Sequence, residues 1–294
     1  MTPARFAATL LLASSVAASA QAAEILRGDV ARSAATPIVM CPTPPRTSLY
    51  SGALAFKDYF WVGDAMAFDA NGNLYGVDGT TLQSLDTSLR PIGKVKLPEE
   101  ASSLAVDAAG FAYVVGKSGV VGVYSADGTI QRRFLLPNLT QPVGAISIDV
   151  SPNGCTLVYL GDGGFANRYD ACAQLPLPPI AAGERFQAIR ALSDGGFAGA
   201  TGDSIKFYDA SGRLVYELLA SPGSPVLAMA FDTEPNFMWI ANETSLFRIH
   251  MTDHAVTAKT AIVDPHNVIV FGELRPSATT LPPLAQTKRR AARP

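Results

Sequence analysis

Apolar and polar positions along the chain recur in a unit of about forty residues. A short apolar run ends in Asp, a turn of the Asn-Gly or Asp-Gly kind follows, and a run rich in Tyr, Val and Phe comes next. Five segments carry this pattern, at 65–75, 103–113, 146–159, 188–197 and 227–240. The fourth is the least regular. Asp69, Asp107, Asp149 and Asp232 fall 38, 42 and 83 residues apart, the last gap being about two periods. After the second run a polar turn leads to a third, such as 121–124 or 205–208. A Gly-containing turn then opens a fourth, such as 130–135 or 214–218.

Four short strands at this period predict β-propeller blades, each needing neighbours on both sides to bury its faces. The region 24–274 holds about six periods. The expectation is therefore an all-β propeller of six four-stranded blades, with five and seven left open. The sixth blade would join both chain ends, strands from 38–62 closing with one at 267–271. Such closure would remove the open sheet edge.

Composition adds the compartment. Residues 1–23 read as a secretory signal peptide: Arg5, an apolar run from Phe6 to Ala13, then small residues around Ala18-Ser19-Ala20 or Ala20-Gln21-Ala22. The chain is expected to be exported, to the periplasm or outside the cell. No later stretch offers the apolar length of a membrane span. Residues 275–294 are Pro-rich, then basic, and are expected to be a disordered tail. Arg5 lies in the signal and five basic residues lie in the tail, so 17 of the 23 basic residues face all 25 acidic ones in the body. That body, at about −8, is a poor match for phosphate backbones, which argues against nucleic acid as partner.

Cys155 and Cys172 flank a hairpin whose turn lies near 161–164, and pairing symmetric about that turn puts them opposite each other. Opposed strand residues are close enough for a disulfide, which an exported protein should form. Cys41 is left over, as a buried thiol or for pairing with another molecule.

Ala67-Phe68-Asp69, Gly72-Asn73-Leu74-Tyr75 and Ile205-Lys206-Phe207-Tyr208-Asp209 with Gly212 resemble NHL repeats and the related gluconolactonase/regucalcin-like propellers. The resemblance spans 65–250 and rests on framework residues, so it implies a fold more than an activity. Lactonases of that group hold a central metal through a Glu, an Asn and an Asp. Here Pro152-Asn153-Gly154 runs into a cysteine-bearing strand and does not follow the family's pattern.

Propeller ligands meet loops that converge on one face. The expected rim carries Asp78, Lys117, Asp162, Asp203, Asn242 and Glu243 from turns between second and third strands. Loops entering the innermost strands add Asp64, Glu99, Arg185 and His266. Asp78, Asp162, Asp203 and Glu243 are the candidate ligands for a divalent cation such as calcium, since hard cations take several oxygens. The same residue types also suit ordinary turns. His250, His254 and His266 cluster in sequence, but the first two are placed on the opposite rim from the third. No nucleophile elbow, P-loop or zinc motif occurs. Two functions are expected from this. The first is an exported propeller binding a protein, peptide or glycan on one face without chemistry. The alternative is a metal-dependent, lactonase-like hydrolase or lyase acting at the central channel.

Overall fold

A computed structural model describes the backbone at 25–28, 38–43 and 46–51. It also describes residues 65–282 apart from 89, 145, 182, 220–223, 262–266 and 271–272. Residues 1–23, expected to be a signal peptide, and Asp64 and His266 lie outside the described residues. Three N-terminal strands are β1 (Ile25–Gly28), β2 (Ile38–Thr43) and β3 (Arg46–Ser51). The first blade is β4 (Ala65–Phe68), β5 (Leu74–Asp78), β6 (Thr81–Leu85) and β7 (Pro91–Lys96). The second is β8 (Ala101–Val106), β9 (Ala112–Gly116), β10 (Val120–Tyr124) and β11 (Ile130–Leu135). The third comprises β12 (Ile148–Val150), β13 (Thr156–Leu160), β14 (Ala166–Asp170) and β15 (Leu175–Pro176). The fourth is β16 (Ala188–Ala191), β17 (Phe197–Thr201), β18 (Ser204–Tyr208) and β19 (Leu214–Leu219). The fifth is β20 (Ala228–Phe231), β21 (Phe237–Ala241), β22 (Ser245–His250) and β23 (Val256–Ala261), with β24 (Asn267–Val270) beyond it.

Each blade is an antiparallel meander in chain order. Burial explains its residue pattern. Every position of β9 and four of five in β5 are buried, because middle strands meet a neighbouring blade on both faces. The fourth strands β7 and β11 are mostly exposed and carry Lys, Arg and Gln along the sheet edge. One apolar cluster fills each interface between consecutive blades. Tyr124 packs with Tyr75, Val77 and Leu97 between the first two, and Phe207 with Met229 and Phe231 between the last two.

The expected six four-stranded blades are corrected by this topology. The described residues build five. The chain ends do meet, but only as a two-stranded ladder in which β1 pairs antiparallel with β24, Ile25 opposite Val270. That ladder's β24 packs against both β20 and β4, the first strands of the last and first blades. The partner of β24 is residues 25–28 rather than 38–62, where β2 and β3 form a separate hairpin. The physical reason is visible in the sequence: 24–64 lacks the Asp-turn-Gly signature that closes the first two strands of the other units.

That signature is structural. Asp69 Oδ1 accepts the amides of Asn71 and Asn73 at 2.8 and 2.9 Å, and Asp107 does the same for Ala109 and Phe111. Tyr75 and Tyr113 donate their hydroxyls to these carboxylates. Burial first, then the Asp107 charge, pushes the Tyr113 hydroxyl up to about 12. Tyr113 also donates to the Gly154 carbonyl of the next blade at 2.8 Å, so the turn sits on its neighbour. Gly154 has φ +72°, and a Cβ there would collide with the Asp107 carboxylate. Gly154→Ala should therefore destabilise the fold by about 1–3 kcal/mol, read as a lower urea midpoint with unchanged slope. A neutral outcome would mean that the turn does not pack as described.

The stretch expected to be a disordered tail starts out packed. Arg275 is engaged by buried carboxylates, the Ser193 amide donates to the Pro276 carbonyl at 3.0 Å, and Leu281 is buried in the apolar cluster of the fourth and fifth blades. Its basic residues Lys288, Arg289, Arg290 and Arg293 lie outside the described residues.

Candidate functional site

Two opposite rims follow from the meander. The turns between first and second strands share one rim with the turns between third and fourth. The other rim carries the turns between second and third strands, and the segments that run from one blade to the next. Backbone bonds tie these two sets together: Leu97 N donates to Thr80 O at 2.7 Å, Val143 N to Lys117 O at 2.8 Å, and Val226 N to Gly202 O at 2.8 Å.

Those sequence-expected residues that are described lie along this second rim, and Asp162, Asn242 and Glu99 bond within it. Asp162 accepts the Thr140 amide and hydroxyl at 2.9 and 2.6 Å. Those two bonds hold its carboxyl below the usual range. Asn242 is buried, its Oδ1 accepting the amides of Thr244 and Ser245. Arg185 is exposed and lies over the Phe165 ring at 5.4 Å. Lys117 is half-buried beside Ser118. Asp78, Asp203 and Glu243 are exposed in turns. Among the described residues no three His, Cys, Asp or Glu side chains form a group that could hold a metal, so Asp78, Asp162, Asp203 and Glu243 are not brought together. On the opposite rim, His250 Nδ1 is 2.7 Å from Asp253 and His254 Nε2 is 3.0 Å from the Tyr216 hydroxyl. Trp239, Tyr159 and Tyr208 are buried between blades.

One rim residue opens onto space. Glu99 leads into β8 and accepts the Ser118 amide and hydroxyl at 2.7 and 2.5 Å. It lines a cleft of about 190 Å³ on the second blade, on the side that packs toward the first, with Leu97, Val114, Tyr124 and Arg133 among the walls. Two wall positions are glycine, and the room they leave is taken by Glu99 and Tyr124. A Cβ at Gly116 would collide with the Glu99 carboxylate, and one at Gly122 would come within 2.6 Å of the Tyr124 ring.

The corresponding interface of the fourth blade is filled. There Phe186 lies against Gly199, and Lys206 Nζ sits 2.6 Å from Glu184, which also accepts the Tyr208 hydroxyl at 2.8 Å. Burial opposes ionisation of Glu184, but the Lys206 and Tyr208 hydrogen bonds outweigh it and hold the carboxyl below its ordinary value of 4.5. A lowered carboxyl stabilises the fold above its ordinary value and loses that contribution as pH falls through the native one. Wild type should thus melt above Glu184→Gln at neutral pH, with the gap closing as pH falls below the ordinary carboxyl range. A gap that stays constant through that fall would contradict the pairing.

The sequence reading placed Glu99 on the rim and missed Gly116, Gly122, Tyr124 and Arg133. Aligning Val121-Gly122-Val123-Tyr124 with Ile205-Lys206-Phe207-Tyr208 was the available signal.

No protein-family model matches the sequence, and neither does any curated protein. Among solved structures the chain is similar to the WD40 repeats of RRP9, at 9% identity and TM-score 0.51, over 67% of this chain and 62% of that one. It is likewise similar to U3-55K, at 9% identity and TM-score 0.52, over 67% and 63%. The fold is a β-propeller. This chain spans a little over six-tenths of the length of those propellers, and at such identity the likeness extends to fold alone. Cys155 and Cys172 are joined, Cα atoms 5.0 Å apart, as the hairpin reading expects. Among the described residues no helix is long and apolar enough to cross a membrane.

Proposed function

We propose that the chain is an exported, NHL-like propeller that binds a protein, peptide or glycan on the rim of its second-to-third-strand turns and performs no chemistry there. The observation that carries this reading is the cleft at Glu99, which opens on that rim while the recurring Asp residues are used inside the fold. Export is supported by the signal-like residues 1–23 and by a disulfide, which persists in oxidising compartments such as the periplasm. No observation favours the lactonase-like alternative with a calcium ion on Asp78, Asp162, Asp203 and Glu243, because those carboxylates do not gather.

Peptide and glycan arrays probed with the processed chain test this reading. Specific hits should weaken with Glu99→Gln or Arg185→Glu on the rim and be indifferent to Asp253→Asn on the opposite one. A parallel lactone and ester screen with added calcium should show no turnover above buffer. Calcium-dependent turnover, or array hits that ignore both rim variants, would overturn the proposal.

A further inference from the structure

We propose that this cleft on the second blade takes an alkylammonium group, the lysine side chain of a peptide ligand, with its ammonium on Glu99 and a carboxylate of the same ligand on Arg133. This rests on the ligand-binding reading above and names the ligand chemistry of that site. The chain supplies its own template. In the fourth blade the third strand reads Ile205-Lys206-Phe207-Tyr208, and the Lys206 ammonium completes a cluster with Glu184 and Tyr208. In the second blade the strand reads Val121-Gly122-Val123-Tyr124, and its pairing with the fourth strand shifts register at the same place, just before the closing Tyr. Glu99 and Glu184 both lie in the segment leading to the first strand of their blade. The carboxylate and the tyrosine are kept, and the ammonium is missing because Gly122 stands where Lys206 stands.

Glu99 is held in place by Ser118, and no cation pairs with it among the described residues. A ligand ammonium would therefore make the contact that Lys206 makes in the fourth blade, a charge-assisted hydrogen bond to a carboxylate already positioned. Leu97, Val114, Val120 and Tyr124 offer apolar walls for a methylene stem. A volume of about 190 Å³ suits one long side chain and excludes a folded oligosaccharide. Arg133 lies in the exposed fourth strand directly opposite Gly122, and its guanidinium is unpaired among the described residues. Opposite charges on two walls select a ligand that carries both.

The test titrates the full processed chain with Nα-acetyl-lysine, which carries a side-chain ammonium and a free carboxylate, and follows backbone amide shifts. Nα-acetyl-norleucine lacks the ammonium, and Nα-acetyl-lysine amide lacks the carboxylate. Acetyl-lysine should saturate, moving amides at 97–100 and 114–124, and each control should bind about tenfold more weakly. Glu99→Gln should reduce acetyl-lysine to the norleucine level while keeping the spectrum of a folded propeller. Gly122→Lys, which puts the chain's own ammonium in the cleft, should block the site. The Tyr124 ring must give way in that variant, so Glu99→Gln carries the result if Gly122→Lys fails to fold. Norleucine binding as well as lysine, or no saturable change, overturns the proposal. If array peptides bind while acetyl-lysine leaves the cleft unmoved, rim binding stands and this inference falls. If acetyl-lysine saturates the cleft while the arrays are blank, the site stands and the wider reading falls.

Discussion

Arg275→Ala should unfold the protein far more readily than wild type, with a loss of about 3–5 kcal/mol. Arg275 lies beyond the last strand, where composition alone suggests a loose tail. Its guanidinium donates to the Asp149 carboxylate at 2.8 and 3.0 Å and to the Val150 carbonyl at 2.6 Å. Arg190 lies 3.4 Å from the same Asp149 and bonds to Glu273, whose other oxygen accepts the Phe231 amide at 2.8 Å. The network therefore joins the first strands of the third, fourth and fifth blades through residues 273–275. Two arginines balance two carboxylates. Removing one arginine leaves two buried carboxylates to share the other, which costs more than the pair contributes when intact. Burial opposes the Arg275 charge, but Asp149 and Glu273 outweigh it and hold its affinity for the proton above the ordinary arginine value. Chemical melts should show the loss as a lower midpoint, with Arg275→Lys falling between alanine and wild type because a point charge cannot reproduce the forked bonds. An alanine variant within about 1 kcal/mol of wild type would mean that this segment does not seal the blades.

Breaking the Cys155–Cys172 bridge should cost about 3 kcal/mol. The bond closes a loop of 17 residues and clamps β13 to the turn after β14, beside the Ala171 amide that donates to the Cys155 carbonyl at 2.8 Å. The effect acts chiefly on the unfolded chain, so the paired Cys155→Ser, Cys172→Ser variant should keep its fold and lose midpoint. Cys172 is exposed, so reductant should reach the bridge and reproduce that loss in wild type while leaving the double variant unchanged. Equal midpoints with and without reductant would show that the bond does not form in solution.

The architecture was largely legible in the chain, for a physical reason. Inner strands buried on both faces must be apolar throughout, and a turn that ends in Asp and carries a positive-φ Gly reads from a short motif. So the five units, their third and fourth strands and the cysteine pair follow from residues alone. The sixth blade was over-read. Apolar stretches at 38–62 have strand character without the Asp-turn closure, and β24 took the nearer end of the chain, residues 25–28, as its partner. At the start of the tail the limit is a related one: Pro-rich composition says nothing about one arginine that finds two buried carboxylates. Rim chemistry was the least legible. Turn geometry and ligand binding ask for the same residue types, so residue type alone could not show that Asp162 bonds to Thr140 across the rim and Asn242 to its own turn. Gly116 and Gly122 make room for Glu99 and Tyr124, and a glycine shows its use only when the side chain it makes room for is known.

We propose that this propeller binds its ligand at the rim cleft on its second blade. Mapping amide shifts with the tightest array-selected ligand tests it most directly. The account predicts perturbations concentrated at 97–100, 114–124 and 133, and their loss in Glu99→Gln. Perturbations centred instead on 250–254 of the opposite rim, or a map unchanged by Glu99→Gln, would contradict it.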